Sequence, residues 1–258
     1  MIRIGKSDIY KLVFSAMIAT ALMLIGCGSG GDGTGRQTLP GENPTGPIVI
    51  PGTGTGTNTN TGTNTKTGTQ TGTQTDIKTP AEMLATGWSV MKDGNYGGSI
   101  SYFTNVINDS SSTPDQRQQA YNGRGWAKAN YYKTTEGFDD FKSSYQLGEI
   151  NTNSYRESIL GYALALIQAT GDDNLDRAIQ LMATELGLSN PAYVLGIEHT
   201  YIGVTSPEAH AMLAYAYFWR GFASLAKAQI EQARIDDSST NGTVNQIYET
   251  LIAAGLYN

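Results

Sequence analysis

Two histidines, one cysteine and scattered carboxylates are the groups from which this 258-residue chain could build chemistry. A nucleophile needs a base beside it, and acid–base catalysis needs paired groups in one pocket. Glu198-His199 stand together in a stretch without helical or strand periodicity, and His210 stands two residues after Glu208 in a helical pattern. Neither matches a His-Glu-x-x-His zinc site, and no Gly-rich phosphate loop opens a helix. Gly123-Arg124-Gly125 lies inside a helical pattern and reads as close helix packing. Asp139-Asp140 and Asp236-Asp237 read as solvated faces, and Asp172-Asp173-Asn174 lacks the ligand alternation of an EF-hand loop. A single cysteine excludes an internal disulfide and a multi-cysteine metal site. A net charge of −6 without a basic stripe argues against nucleic acid. No catalytic set, metal or cofactor is expected, which turns attention to the elements and the surface they carry.

Helix starts are well marked between residues 79 and 258. Thr79-Pro80-Ala81-Glu82 and Thr113-Pro114-Asp115-Gln116 each combine a cap, Pro in the first turn, and Glu or Gln three residues after the cap. Ser154-Tyr155-Arg156-Glu157 and Ser206-Pro207-Glu208 read as further starts. A helix pair follows each. Gly87 leads through a turn at Gly94 and Tyr96 to Ser99, Phe103 and Val106; Tyr121 and Gly125 lead to Gly137, Phe141 and Ser144. Leu160, Gly161 and Leu164 lead across a longer turn at Gly171 to Ala178, Met182 and Glu185. Leu213, Ala214 and Tyr217 lead through Gly221 to Ala226, Ile230 and Ala233. Residues 189–205 are an irregular insert before that last pair, and Val244, Ile247, Tyr248, Leu251 and Ile252 mark a final helix.

This spacing of small and bulky residues resembles the tetratricopeptide repeat, TPR, in which small residues let two helices approach and bulky ones fill the gap. One hairpin cannot bury its apolar face alone. The expected fold is therefore all-α, a TPR-like α-solenoid of about four helix hairpins plus a C-terminal capping helix. The resemblance further implies a concave groove, lined by the first helices, that takes peptides or partner proteins. The residue after the packing Gly or Ala faces such a groove, which here singles out Trp88, Trp126 and Tyr215. Asn122, Asn130 and Trp219 share that side as partner-binding candidates. Trp and Tyr are enriched at binding hot spots, while large aromatics at helical spacing also suit a core; both outcomes are open at this stage.

Residues 1–26 read as an export signal. Arg3, Lys6 and Lys11 precede an uncharged run from Leu12 to Ile25, shorter than the ~20 residues a membrane span needs. Leu24-Ile25-Gly26-Cys27 resembles the bacterial lipobox, which implies cleavage before Cys27 and lipid attachment there. Acyl chains anchor by ~0.8 kcal/mol per buried methylene. The signal carries a net +2, so the chain from Cys27 onward carries −8, and the lipid rather than a basic patch must hold the membrane. Gly28, in place of Asp, makes the outer membrane the destination the resemblance implies. Residues 27–78 are rich in Gly, Thr and Asn, with Thr at every second position from 53 to 75 and no apolar face. They read as a disordered tether spanning roughly 40 Å. Signal, tether and repeats together resemble the envelope lipoproteins that scaffold assembly. The expected function is a membrane-anchored, non-enzymatic TPR lipoprotein that binds an envelope protein or peptide partner. The alternative is a small-ligand-binding lipoprotein associated with solute transport, with an enclosed cavity lined by residues such as Trp126, Tyr162 and Phe218. An enzyme would need Glu198, His199 and His210 in one cleft.

Overall fold

The structure is a computed structural model that describes residues 78–148, 152–240 and 242–258. The export signal, Cys27 and the tether up to residue 77 lie outside the described residues. Every regular element among the described residues is helical, and no helix there is long and apolar enough to cross a membrane.

Nine α-helices follow one another among these residues: α1 Pro80–Lys92, α2 Tyr96–Asn108, α3 Pro114–Tyr131, α4 Phe138–Leu147, α5 Asn153–Ala169, α6 Asp172–Ile179, α7 Ser206–Trp219, α8 Ala223–Asp236 and α9 Thr243–Ala253. Thr79 and Thr113 close the expected capping boxes with Glu82 and Gln116, each cap satisfying donors that a helix start leaves bare. The other two starts sit earlier in the chain than the sequence pattern placed them. Thr152, not Ser154, caps α5, and Thr205, not Ser206, caps α7 in a box with Glu208. Ser154 and Glu157 are turned inward instead, where the Asn122 amide donates to both, at 3.2 and 3.0 Å.

Each helix packs on its sequence neighbour, and the first helices of successive pairs also meet: α1 on α3, α3 on α5, α5 on α7. α9 lies against α7 and α8. The packing repeats in detail. Trp88 meets Phe103, and Trp126 meets Phe141, both edge-on with ring centroids 5.1 Å apart. Phe103 fills the space left by Gly87 and Gly123, and Phe141 the space left by Gly125, Gly137 and Gly161. Behind them a buried polar chain joins three helices: Gln118 of α3 donates to Ser144 of α4, and Ser144 donates to Ser158 of α5. Asp140 is not on a solvated face. It is buried, and Arg124 and Lys128 of α3 reach it at 2.6 and 2.8 Å, an arrangement that removes the cost of desolvating a lone carboxylate. Asp139 beside it is exposed.

α6 does not end in an ordinary cap. It runs on as a π-helix, Gln180–Glu185, and wide bonds from Leu188 to Met182 and from Ser189 to Ala183 lead the chain out into the insert. The insert is irregular as expected, apart from one 3-10 turn at Thr200–Ile202. It is pinned at its ends by buried Leu188, Leu195, Ile202 and Val204.

Candidate functional site

The insert lies across the side of the first helices that carries the candidate groove residues. Glu157, at the first turns of α5, is 1 % exposed. Its Oε1 accepts from the backbone N–H of Glu198 (2.9 Å) and of His199 (2.8 Å). Its Oε2 accepts from Asn122 Nδ2 and sits 2.8 Å from His199 Nδ1. Four contacts to one carboxylate satisfy the buried charge. The His199 ring in turn lies flat on Trp88, centroids 3.6 Å apart and planes 8° from parallel. Tyr201 closes the cluster edge-on to both rings. Further along, Asn130 of α3 donates to the backbone carbonyl of Ile202 at 3.3 Å and to that of Trp126 at 2.9 Å. Between the anchors Leu195 and Ile202, no residue from 196 to 201 is fully buried.

The structure thus divides the six sequence candidates. Trp88 and Asn130 meet the insert, while Asn122 is buried and reaches it only through Glu157 of α5. Trp126 is 2 % exposed, with its ring in the core against Phe141. Tyr215 and Trp219 are elsewhere on α7, their centroids 6.0 Å apart, lining a cleft with the corner between α5 and α6. His210 belongs to neither place. It is buried, its Nε2 2.7 Å from the Tyr193 carbonyl and its Nδ1 against Gln229, whose amide donates to the Leu188 carbonyl. It ties the start of the insert to α7 and α8, apart from the His199 network. Among the described residues no group of three His, Cys, Asp or Glu side chains could hold a metal ion.

Two contributors escaped the sequence. Glu157 carried the signature of a capping box, so its reach across to the insert was hidden. Thr170, between α5 and α6, has φ 59° and ψ −179°, a conformation that a β-branched residue rarely adopts. Nothing in its neighbours signals this.

Burial, and secondarily the charges of Glu157 and Glu198, push the Tyr201 hydroxyl up to about 12. Burial raises Tyr155, to about 12, and Tyr217 in the same direction. A raised folded value gives stability that is complete below the unfolded value near 10 and lost as pH climbs toward the folded one. The urea midpoint is therefore expected to hold level up to about pH 10 and to fall between about 10 and 12. Tyr201→Phe should remove part of that fall; a midpoint unchanged across this window would contradict the burial of these hydroxyls.

The chain matches no family model, no curated protein and no solved structure in the comparisons made, so what it does has to be read from its own geometry.

Proposed function

We propose that the chain is a lipid-anchored, non-enzymatic envelope protein whose TPR-like helical domain holds a protein or peptide partner. One observation carries the reading: the side of α1, α3 and α5 that carries Trp88 and Asn130 already holds a looped segment of backbone. Glu157 takes two consecutive backbone N–H groups, Asn130 takes a backbone carbonyl, and Trp88 takes a side-chain ring. That is the set of contacts by which a groove reads a peptide: main-chain hydrogen bonds for affinity and a ring pocket for selectivity. In the isolated chain the ligand is the insert itself. Its middle, 196–201, contributes no fully buried side chain, so a partner segment can take that place while Leu195, Ile202 and Val204 stay seated. Acylation at Cys27 would keep this exchange at the membrane.

A photo-crosslinking residue placed at exposed Glu198, in the full acylated chain in its native cells, tests the reading. It should trap one envelope protein, and His199→Ala, which uncovers Trp88, should raise the yield. A correctly localised chain that traps nothing in either form would refute the partner role.

A further inference from the structure

His210 of α7 and Gln229 of α8 form a hydrogen-bonded bridge to the start of the insert, and the bridge ends on a backbone carbonyl at each side. His210 Nε2 lies 2.7 Å from the Tyr193 carbonyl oxygen. His210 Nδ1 lies 2.5 Å from Gln229 Oε1, and Gln229 Nε2 donates to the Leu188 carbonyl at 2.7 Å. Carbonyls only accept, so both ends of the bridge must be donors. The Tyr193 end takes the Nε2 proton and the Leu188 end takes an amide proton, which leaves Oε1 turned to Nδ1. Two acceptors then meet unless Nδ1 carries a proton too. Turning the Gln229 amide over only moves the clash to the Leu188 carbonyl. The bridge is therefore complete with the ring as imidazolium and one hydrogen short with the ring neutral. His210 is 1 % exposed and Gln229 2 %, so bulk water is not at hand to mend the gap.

His199 differs. Its Nδ1 faces a carboxylate, and a neutral ring with its proton on Nδ1 keeps that bond. The histidine ion pair among the described residues is this one, with Glu157, so His210 has no carboxylate of its own. The charged groups on the elements packed around α7 are engaged elsewhere. Arg156 of α5 sits on the Tyr193 hydroxyl and the Leu186 carbonyl, and Glu208 of α7 closes its capping box. Lys227, Glu231 and Arg234 of α8 turn to Tyr257 and Tyr248. On α6, Asp172 and Asp176 pair with Arg220, and Arg177 with Glu185. Asp173, Glu198, Asp236 and Glu249 are exposed.

We propose that His210 is a proton-operated latch on the start of the insert. Protonated, it closes the bridge and holds residues 188–195 against α7 and α8. Deprotonated, it gives up its link to Gln229 or to Tyr193, and that stretch loosens while the helices stay packed. The latch does not depend on what the insert-covered groove binds.

The test uses the full chain in detergent between about pH 8 and pH 5.5, a window that brackets the titration of free imidazole. Nitrogen-15 labelling of histidine reads the ring state, and hydrogen exchange, as protection over the intrinsic rate at each pH, reads the latch. The amide of Tyr193 bonds to the Asn190 carbonyl and that of Leu195 to Ser206 Oγ. On acidification the protection of both should rise about tenfold, with the amides of α1 to α4 unchanged and both His210 nitrogens protonated at the lower pH. A histidine that is merely buried does the reverse, because charging it on acidification opens the structure. Gln229→Met keeps the volume and removes the acceptor. A neutral ring can then hold Tyr193 through Nε2, so the rise should vanish or reverse. His199→Phe, which keeps a ring on Trp88, should leave the rise in place. Protection that stays level or falls on acidification would overturn the latch, as would a His210 ring with one protonated nitrogen at pH 5.5; both readings come from the parent chain and do not need a variant to fold. A rise that survives in Gln229→Met, or one lost in His199→Phe, would overturn it as well.

Discussion

Glu157→Ala is expected to destabilise the helical domain by about 3–5 kcal/mol and to free the insert before the helices melt. Among the described residues the carboxylate accepts from the N–H groups of Glu198 and His199 and is a partner of Asn122 and His199 Nδ1. Truncation strands all of these at once. Unpaired buried polar groups cost about 1–3 kcal/mol each when water cannot reach them, and partial wetting of the opened insert keeps the sum at the stated level. For a domain of this size the melting temperature should fall by roughly 10 °C. Glu157→Gln keeps the volume and can leave its oxygen on the two backbone N–H groups, but its amide then faces the Asn122 amide and His199 Nδ1, so an intermediate loss is expected. Hydrogen exchange locates the effect: the amides of 198 and 199 should lose protection first, with those of α3 and α4 little changed. A Glu157→Ala protein within about 1 kcal/mol of the parent, with those two amides still protected, would mean that the insert is held by its apolar anchors alone.

What could be read from the sequence follows the range of the physics involved. Capping chemistry is local, so Thr79 and Thr113 announced their helices correctly. Gly87 with Phe103 and Gly125 with Phe141 repeat at one offset, so the pairing of helices was legible as well. The start of α5 misled because two capping residues, Thr152 and Ser154, stand two apart, and only the tertiary pull of Asn122 on Ser154 decides between them. The same long-range contact made Glu157 invisible as a ligand for the insert. Asp140 was misplaced for a related reason: a carboxylate looks solvent-bound until Arg124 and Lys128, on another helix, are brought to it. The candidate ring positions rest on their place after a small residue, a local rule that is silent on surroundings: Trp88 meets the insert, Trp126 the core and Tyr215 a separate cleft. Irregular segments such as 189–205 have no periodicity, so nothing local states that one will lie down on Trp88.

The second large effect is expected at Gly137, and it tests whether close helix approach organises the second hairpin. Gly137 has φ −84° and ψ −7°, which alanine adopts without strain, so any cost of Gly137→Ala must come from contact. A Cβ there would lie 2.5 Å from the Gly125 carbonyl oxygen and 2.7 Å from Phe141 Cε2. The ring cannot retreat, because Gly125 and Gly161 already bound it, and the carbonyl belongs to the backbone of α3. The methyl group therefore has to push α3 and α4 apart. Overpacking in a core typically costs ~1–3 kcal/mol, and a backbone obstacle places this case at about 3. Gly97→Ala is the matched control. Its Cβ would meet nothing within 4 Å, so alanine's helix preference should stabilise by up to about 1 kcal/mol. The two substitutions are chemically identical and opposite in expected sign, which isolates packing from propensity. A Phe141→Leu background separates the two obstacles: it relieves the ring contact but not the carbonyl, so most of the Gly137→Ala penalty should survive in the double mutant. If the penalty vanishes with the ring, the helices are spaced by Phe141. If Gly137→Ala is as harmless as Gly97→Ala, the close approach of α3 to the start of α4 is not what sets the hairpin, and the small-and-bulky pattern that suggested a repeat loses its physical cause.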